Sequence, residues 1–383
     1  MEINWIFVCI IMLSVFSCSK PNDYANLERS WIQINQRHTS EGNFIKVLNG
    51  ALISFSKDSV LTSLISNEKM VKDHYYIIDS TIYIDTLKFA KITHLNGDSL
   101  ILEDEEGNYD LVFKALNKAY KIHPTALSER ILFNNNWSFF NNDIKYTLFL
   151  DSVEYLPKDT GNLKKLGILK IEQDSFEYFS DYDWWSLKQF NNNLILGFSS
   201  GSNFIHTIQI KNINENYIDG YYIYPNDGVE IRLIPNEIEN TIQLKELIGE
   251  WQIEEIIKPS KDQFKLIFDS LNNAEKNFYS IRKEKTPFQD LINGKLIFSF
   301  LNNFEYEIKT LKNVKIKQGK WRISPKNNLI YLDYLVDANN IIEITNQDKN
   351  SMTIEMYLDI QTTQSLKYLK EKVKFKLKKL HGT

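Results

Sequence analysis

Three tryptophans divide this chain more firmly than any other feature. Trp31 ends the run Leu27-Glu28-Arg29-Ser30-Trp31, Trp137 ends Phe133-Asn134-Asn135-Asn136-Trp137, and Trp251 ends Leu247-Ile248-Gly249-Glu250-Trp251. They stand 106 and 114 residues apart, each with an apolar residue four positions earlier. Self-similarity at this spacing is too long for the stacked units of a solenoid and predicts tandem domains. A second landmark recurs inside each unit as an apolar run, a polar turn and another apolar run, which is the signature of a β-hairpin. It reads His74 to Ile78 then Ser80 to Ile84 in the first unit, and Asp183 to Leu187 then Asn192 to Leu196 in the second. In the third it reads Gly319 to Ser324 then Leu329 to Leu332. A further hairpin follows each landmark, as in Ile92 to Leu95, the turn Asn96-Gly97-Asp98, and Leu100 to Leu102. The first and third units end on alternating strands, Leu111 to Lys114 and Val373 to Lys378, with lysines set against apolar residues as on a half-buried strand.

The 23 Phe and 20 Tyr, together with frequent Ile, favour pleated sheet over helix. The expected fold class is therefore all-β: tandem antiparallel barrel or sandwich modules with a few short helices. The boundaries are 24–120, 128–236 and 243–381, with Pro124 and the polar stretch Pro235 to Asn240 as joints. Some 90 residues leave open whether the first module completes a barrel. One segment breaks the pattern. Ser260 is placed to cap a helix whose Phe264, Ile267, Phe268 and Leu271 share a face, ending before Thr286-Pro287. It reads either as a helix packed across a barrel end or as a lid over a cavity mouth. Thr362 to Leu369 suggests a shorter helix between the last two strands.

The N-terminus carries an apolar run from Trp5 to Phe16 followed by Ser17-Cys18. A dozen residues span about 20 Å as a helix, short of the roughly 30 Å hydrocarbon core, which suits a signal h-region. Val15-Phe16-Ser17-Cys18 resembles the lipobox of bacterial lipoproteins, with Phe16 where a small residue is usual and no Lys or Arg before the run. The resemblance implies that residues 1–18 form a lipoprotein signal peptide and that Cys18 becomes the lipidated N-terminus. A single acyl chain binds a membrane only marginally, whereas two or three anchor firmly. An ordinary secretory peptide and a short uncleaved anchor are the alternatives. The expected site is an exported protein held at the cell outer membrane, on either face. Cys9 would leave with the leader, so the mature chain would hold no free thiol for catalysis, thiolate zinc binding or disulfide formation.

Residues Leu247 to Trp251, Gly319 to Ile323 and Phe375 to Leu377 carry a further likeness. The third module resembles the lipocalin-like domains of exported Bacteroidota proteins, with Gly249-x-Trp251 like the motif that opens their first barrel strand. The closing arginine that packs on this tryptophan in that family has no counterpart within Val373 to Leu380. Modules one and two have Arg29 and Asn135 in place of the glycine. The resemblance implies small antiparallel barrels able to hold one small apolar ligand.

Catalytic and metal signatures are sparse. His38, His74, His94, His123, His206 and His381 show no metal-ligand spacing. His94 and His206 fall at equivalent places in the repeat, where strand-surface positions are expected. Glu103 to Asn108 offers carboxylates for a hard cation, but reads better as a charged turn with Gly107-Asn108 supplying positive φ. Asp181 and Asp183 beside Trp184-Trp185 suggest sugar stacking, whereas Trp185 aligns with Trp321 as a core residue. Ser199 to Asn203 reads as a hairpin loop rather than a nucleophile elbow. The sequence nominates no catalytic residue, cofactor or metal, and a net charge of −4 argues against nucleic acid as partner. The leading expectation is a membrane-anchored, non-enzymatic envelope lipoprotein binding a protein or surface component. A carrier of a small apolar ligand in the third barrel is the second, and a carbohydrate-binding or carbohydrate-active accessory the third.

Overall fold

The computed structural model describes residues 24–40, 44–45, 50–65, 69–117, 125–154, 163–173, 176–180, 184–200, 203–224, 228–237, 242–258, 295–324, 328–332, 341–360 and 369–380. The architecture is all-β, with antiparallel strands in three consecutive sheets: the first and third close into barrels, and the second is a barrel-like sheet whose two ends are not paired. The segments expected as helices around Ser260 to Ile281 and at Thr362 to Leu369 lie outside the described residues, save Leu369, which opens the last strand.

The first sheet contains β1 (Ser30–His38), β2 (Phe44–Ile45), β3 (Ala51–Phe55), β4 (Ser59–Leu64) and β5 (Met70–Ile78). It continues with β6 (Thr81–Ile84), β7 (Leu87–Leu95), β8 (Ser99–Asp104) and β9 (Tyr109–Ala115). β1 pairs with β3 on one side and β9 on the other, so eight strands close a ring and β2 is an appendage on β1. The open question about the first module is thereby resolved: short strands and tight turns complete a barrel. At Asp79-Ser80 both residues have positive φ, 47° and 67°, the twist a two-residue hairpin needs.

The third sheet is a closed eight-stranded barrel of the same order. Its strands are β19 (Gly249–Lys258), β20 (Leu296–Phe300), β21 (Glu305–Thr310), β22 (Lys315–Ile323), β23 (Leu329–Leu332), β24 (Ile341–Gln347), β25 (Ser351–Ile360) and β26 (Leu369–Leu380). Val373, Phe375 and Leu377 are buried while Lys378 is exposed, the alternation expected of the closing strand.

The second sheet departs from this plan. It holds β10 (Asn136–Asn141), β11 (Ile144–Glu154), β12 (Leu163–Gln173), β13 (Phe176–Ser180), β14 (Trp184–Phe190), β15 (Asn193–Ser200), β16 (Asn203–Ile213), β17 (Ile218–Tyr224) and β18 (Val229–Asn236). Counted back from the closing strand, β14 matches β5 and β22, each of which pairs with the strand preceding it in the ring. Here β12 pairs instead with the extra strand β13, and β13 and β14 are the two ends of the sheet. β12 and β14 still approach closely: a Cβ built on Gly167 would lie 3.0 Å from the Trp185 Cβ. Pro235 and Asn236, expected at a joint, belong to β18 and lie opposite Trp137 and Asn136. Pro235 sits near the end of β18, beyond the last β17–β18 pair, Ile218 with Leu233.

Candidate functional site

The repeated tryptophans build the same anchor three times. A short helical segment precedes each one: Ala25–Leu27, Thr125–Asn134 and Leu244–Leu247. The end of the segment turns a carbonyl toward the following strand. Trp31 Nε1 donates to the Leu27 carbonyl at 3.1 Å, Trp137 to Leu132 at 3.1 Å, and Trp251 to Leu247 at 2.7 Å. Each ring is fully buried, so its single N–H needs a partner within the protein.

A cation lies over two of these rings. The Arg29 guanidinium sits 5.7 Å from the Trp31 centroid, and Lys379 Nζ sits 5.1 Å from that of Trp251. Lys379 stands opposite Trp251 in the closing strand, so a lysine takes the place where the lipocalin-like resemblance implies an arginine. Its Nζ donates to the Glu246 carbonyl at 2.6 Å, and burial pushes its ammonium below the usual lysine range. Gly249 has φ +136°, and a Cβ there would lie 2.9 Å from the Lys379 Cε. The glycine makes room for the lysine. In the first barrel the cation comes from the glycine's own position, Arg29, and Ala115 stands opposite Trp31.

The other residues singled out by sequence are scattered. Cys18, the expected lipidation site, lies outside the described residues, as do Asp181, Asp183, His123, His381 and the Trp184 side chain. Trp185 is 3% exposed, and its Nε1 donates to the Asp151 carbonyl at 3.3 Å, a core position. Glu103 to Asn108 closes β8 onto β9. Asp104 Oδ1 accepts the backbone N–H groups of Asn108 and Tyr109 at 2.7 and 2.9 Å, and of the pair Gly107-Asn108 only Gly107 has positive φ. Ser200 pairs with Asn203 as the hairpin reading of that loop requires. Among the described residues no group of three or more His, Cys, Asp or Glu side chains is placed to hold a metal ion.

His94 and His206 part company. In β7 a bulge between Ile92 and His94 turns His94 outward, where its Nε2 meets Asn96 Nδ2 at 3.0 Å. His206, expected on a strand surface, is instead 7% exposed inside the second barrel, on the same face of β16 as Ile208 and Ile210. It stacks on Tyr222 at 5.5 Å with its Nδ1 against the Tyr222 hydroxyl, beside Tyr146 and Phe139. The reversal follows from strand period: one inserted residue moves a side chain to the other face.

Each sheet encloses a cluster of buried apolar side chains. In the third, Trp251, Phe298, Phe300, Tyr306, Trp321 and Phe375 belong to one contiguous buried cluster that includes residues from all eight strands.

Two interfaces weld the barrels together, and neither was visible in the sequence. Between the first and second, Ile32, Leu52, Ile65 and Leu116 pack with Phe190, Ile195 and Ile223. Asn191, in the β14–β15 turn, donates to Ser30 Oγ at 3.1 Å and Ser54 Oγ at 2.7 Å. Gln209 exchanges hydrogen bonds with the Asn117 backbone, both at 3.0 Å. Between the second and third, the fully buried Asp151 accepts from Ser324 Oγ at 2.7 Å and from the Tyr331 hydroxyl at 2.5 Å. Burial, reinforced by the Asp151 charge and their hydrogen bond, holds the Tyr331 phenol well above the usual tyrosine range.

The outer face of the first barrel remains exposed at β5 to β7. Tyr76 and Tyr83 stack there at 5.1 Å with rings 6° from parallel, and Ile78, on the same face of β5, is 54% exposed.

No known family's sequence pattern matches the chain, and no curated relative matches it. Among solved structures, the DNA polymerase III beta subunit of Thermotoga maritima is similar at 9% identity, over 95% of this chain and 94% of that one. Its TM-score of 0.15 carries no argument about fold or function.

Proposed function

We propose that this protein is a lipid-anchored lipoprotein of the cell envelope that acts without catalysis, by presenting a welded set of β-barrels to a protein or surface partner. The observation that carries this reading is the exposed aromatic and aliphatic face of the first barrel, Tyr76 stacked on Tyr83 with Ile78 on the same face of β5. Clustered exposed apolar side chains mark contact surfaces, and tyrosine gives large contact area at small entropic cost. The alternative, a carrier of a small apolar ligand, draws less support. Large aromatic side chains of the third barrel, Trp251, Phe298, Phe300 and Trp321 among them, lie in one buried cluster, which favours a self-packed core.

The test is photocrosslinking in the native envelope. A photoreactive residue replacing Tyr76 in the full-length protein should give an adduct of one discrete mass, lost when Ile78 and Tyr83 are both changed to Glu. The same residue placed at Lys317 on the third barrel should give none. No discrete adduct from position 76, in folded and correctly localised protein, would overturn the reading.

A further inference from the structure

We propose that the first barrel stands end-on to the membrane, with the turns Ser56–Asp58, Asp79–Ser80 and Asn96–Asp98 toward the lipid and the turn Glu105–Asn108 away from it. The inference rests on Cys18 as the lipidated residue and adds an orientation to that reading.

The argument is one of reach. From Cys18 to Tyr24 there are six Cα steps, and a fully extended chain covers at most about 3.3–3.6 Å per step, so Tyr24 lies within about 20 Å of the anchor. Tyr24 is itself pinned to one end of the barrel. Its hydroxyl meets Ser80 Oγ at 3.1 Å, and its carbonyl accepts from the Leu27 N–H at 2.8 Å. Arg29 then binds the Gly97 carbonyl through its side chain, and its own carbonyl accepts from Phe55 N–H at 3.0 Å. Three hairpin turns are thus gathered where the chain enters. At the other end Thr39 Oγ1 donates to the Gly107 and Asn108 carbonyls at 2.9 and 3.1 Å.

Nine residues of β1 at about 3.3 Å each, tilted by about 40°, separate the two ends by about 23 Å. The near end carries Glu28, Asp58, Asp79 and Asp98 against Arg29 and Lys57. An acidic balance does not dock on anionic headgroups, so the lipid anchor and its reach fix the orientation rather than charge attraction.

The mature chain lacks any other cysteine, which makes the test direct. Lys57→Cys, Asp98→Cys and Glu105→Cys variants of the full-length protein are purified from membranes and labelled with a donor fluorophore. They are then placed in phosphatidylethanolamine–phosphatidylglycerol vesicles containing a headgroup-labelled acceptor lipid. Energy transfer should be severalfold stronger from positions 57 and 98 than from 105. Equal transfer from all three, or stronger transfer from 105, would overturn the orientation. Wild-type protein denatured in the same maleimide provides the independent check. It should take up no label, because a thioether would occupy Cys18. Labelling at Cys18 would overturn the anchor reading itself, whatever the transfer pattern.

Discussion

Gly249 and Arg29 stand at the same distance before their tryptophans and meet the same need in opposite ways. One vacates space so that a lysine of the closing strand can cover the ring, and the other supplies the cation from its own side chain. Replacing Gly249 by Ala introduces two faults, a non-glycine residue at φ +136° and a Cβ within 2.9 Å of Lys379. The backbone fault alone costs about 1–3 kcal/mol. Urea denaturation should therefore show Gly249→Ala destabilised by at least that much. Adding Lys379→Ala should relieve the contact but leave the backbone cost. Full recovery in the double variant would show that the φ value is not under strain. The same scale explains the fate of the histidines. His94 and His206 align in sequence, yet a one-residue bulge beside His94 sends it outward while His206 faces the core. Nothing in the local residues marks that bulge.

At the scale of elements, the second barrel shows how much strand pairing depends on single small residues. Gly220 of β17 lies opposite Ile210, and a Cβ there would come within 2.6 Å of the Gln209 carbonyl oxygen. The obstacle is backbone, so the strands must part or shift register. Gly220→Ala should lose about 1–3 kcal/mol, the usual penalty for forcing atoms into a packed interior. Hydrogen exchange should locate the loss in β16 and β17, and protection unchanged there would contradict the assigned register. Much of this layer was legible in the sequence. The tryptophan starts, the β5–β6, β14–β15 and β22–β23 hairpins and the alternating β26 follow from local pattern, because strand period and turn chemistry are local properties. The extra strand β13 was not legible. Phe176 to Ser180 reads like any other β run, and its place as an edge strand on β12 is decided by pairing across the sheet.

For the whole molecule, the junctions matter more than any one barrel. Asp151 meets Ser324 and Tyr331, 173 and 180 residues away, a pairing without local signature. Tyr331→Phe removes one donor from a buried carboxylate and should cost about 1–3 kcal/mol at neutral pH. The pH dependence has a definite sign. The folded state holds the Tyr331 proton above the ordinary value of 10.0, while the unfolded chain releases it there. Its contribution is complete below that value and is lost as pH rises toward the folded pKa. The wild-type minus Tyr331→Phe stability difference, measured by denaturation across pH 9 to 11, should therefore shrink above about pH 10. A difference that grows with pH would place Tyr331 elsewhere. We propose that the barrels act through their outer faces, without a bound ligand, while a lipid on Cys18 holds them at the membrane. Native mass spectrometry of the full-length protein extracted from its own membranes tests this most directly. The expected mass is that of the chain from Cys18 onward plus its acyl groups, with no further mass released on denaturation. A reproducible extra mass that denaturation sets free would contradict it and make the protein a carrier.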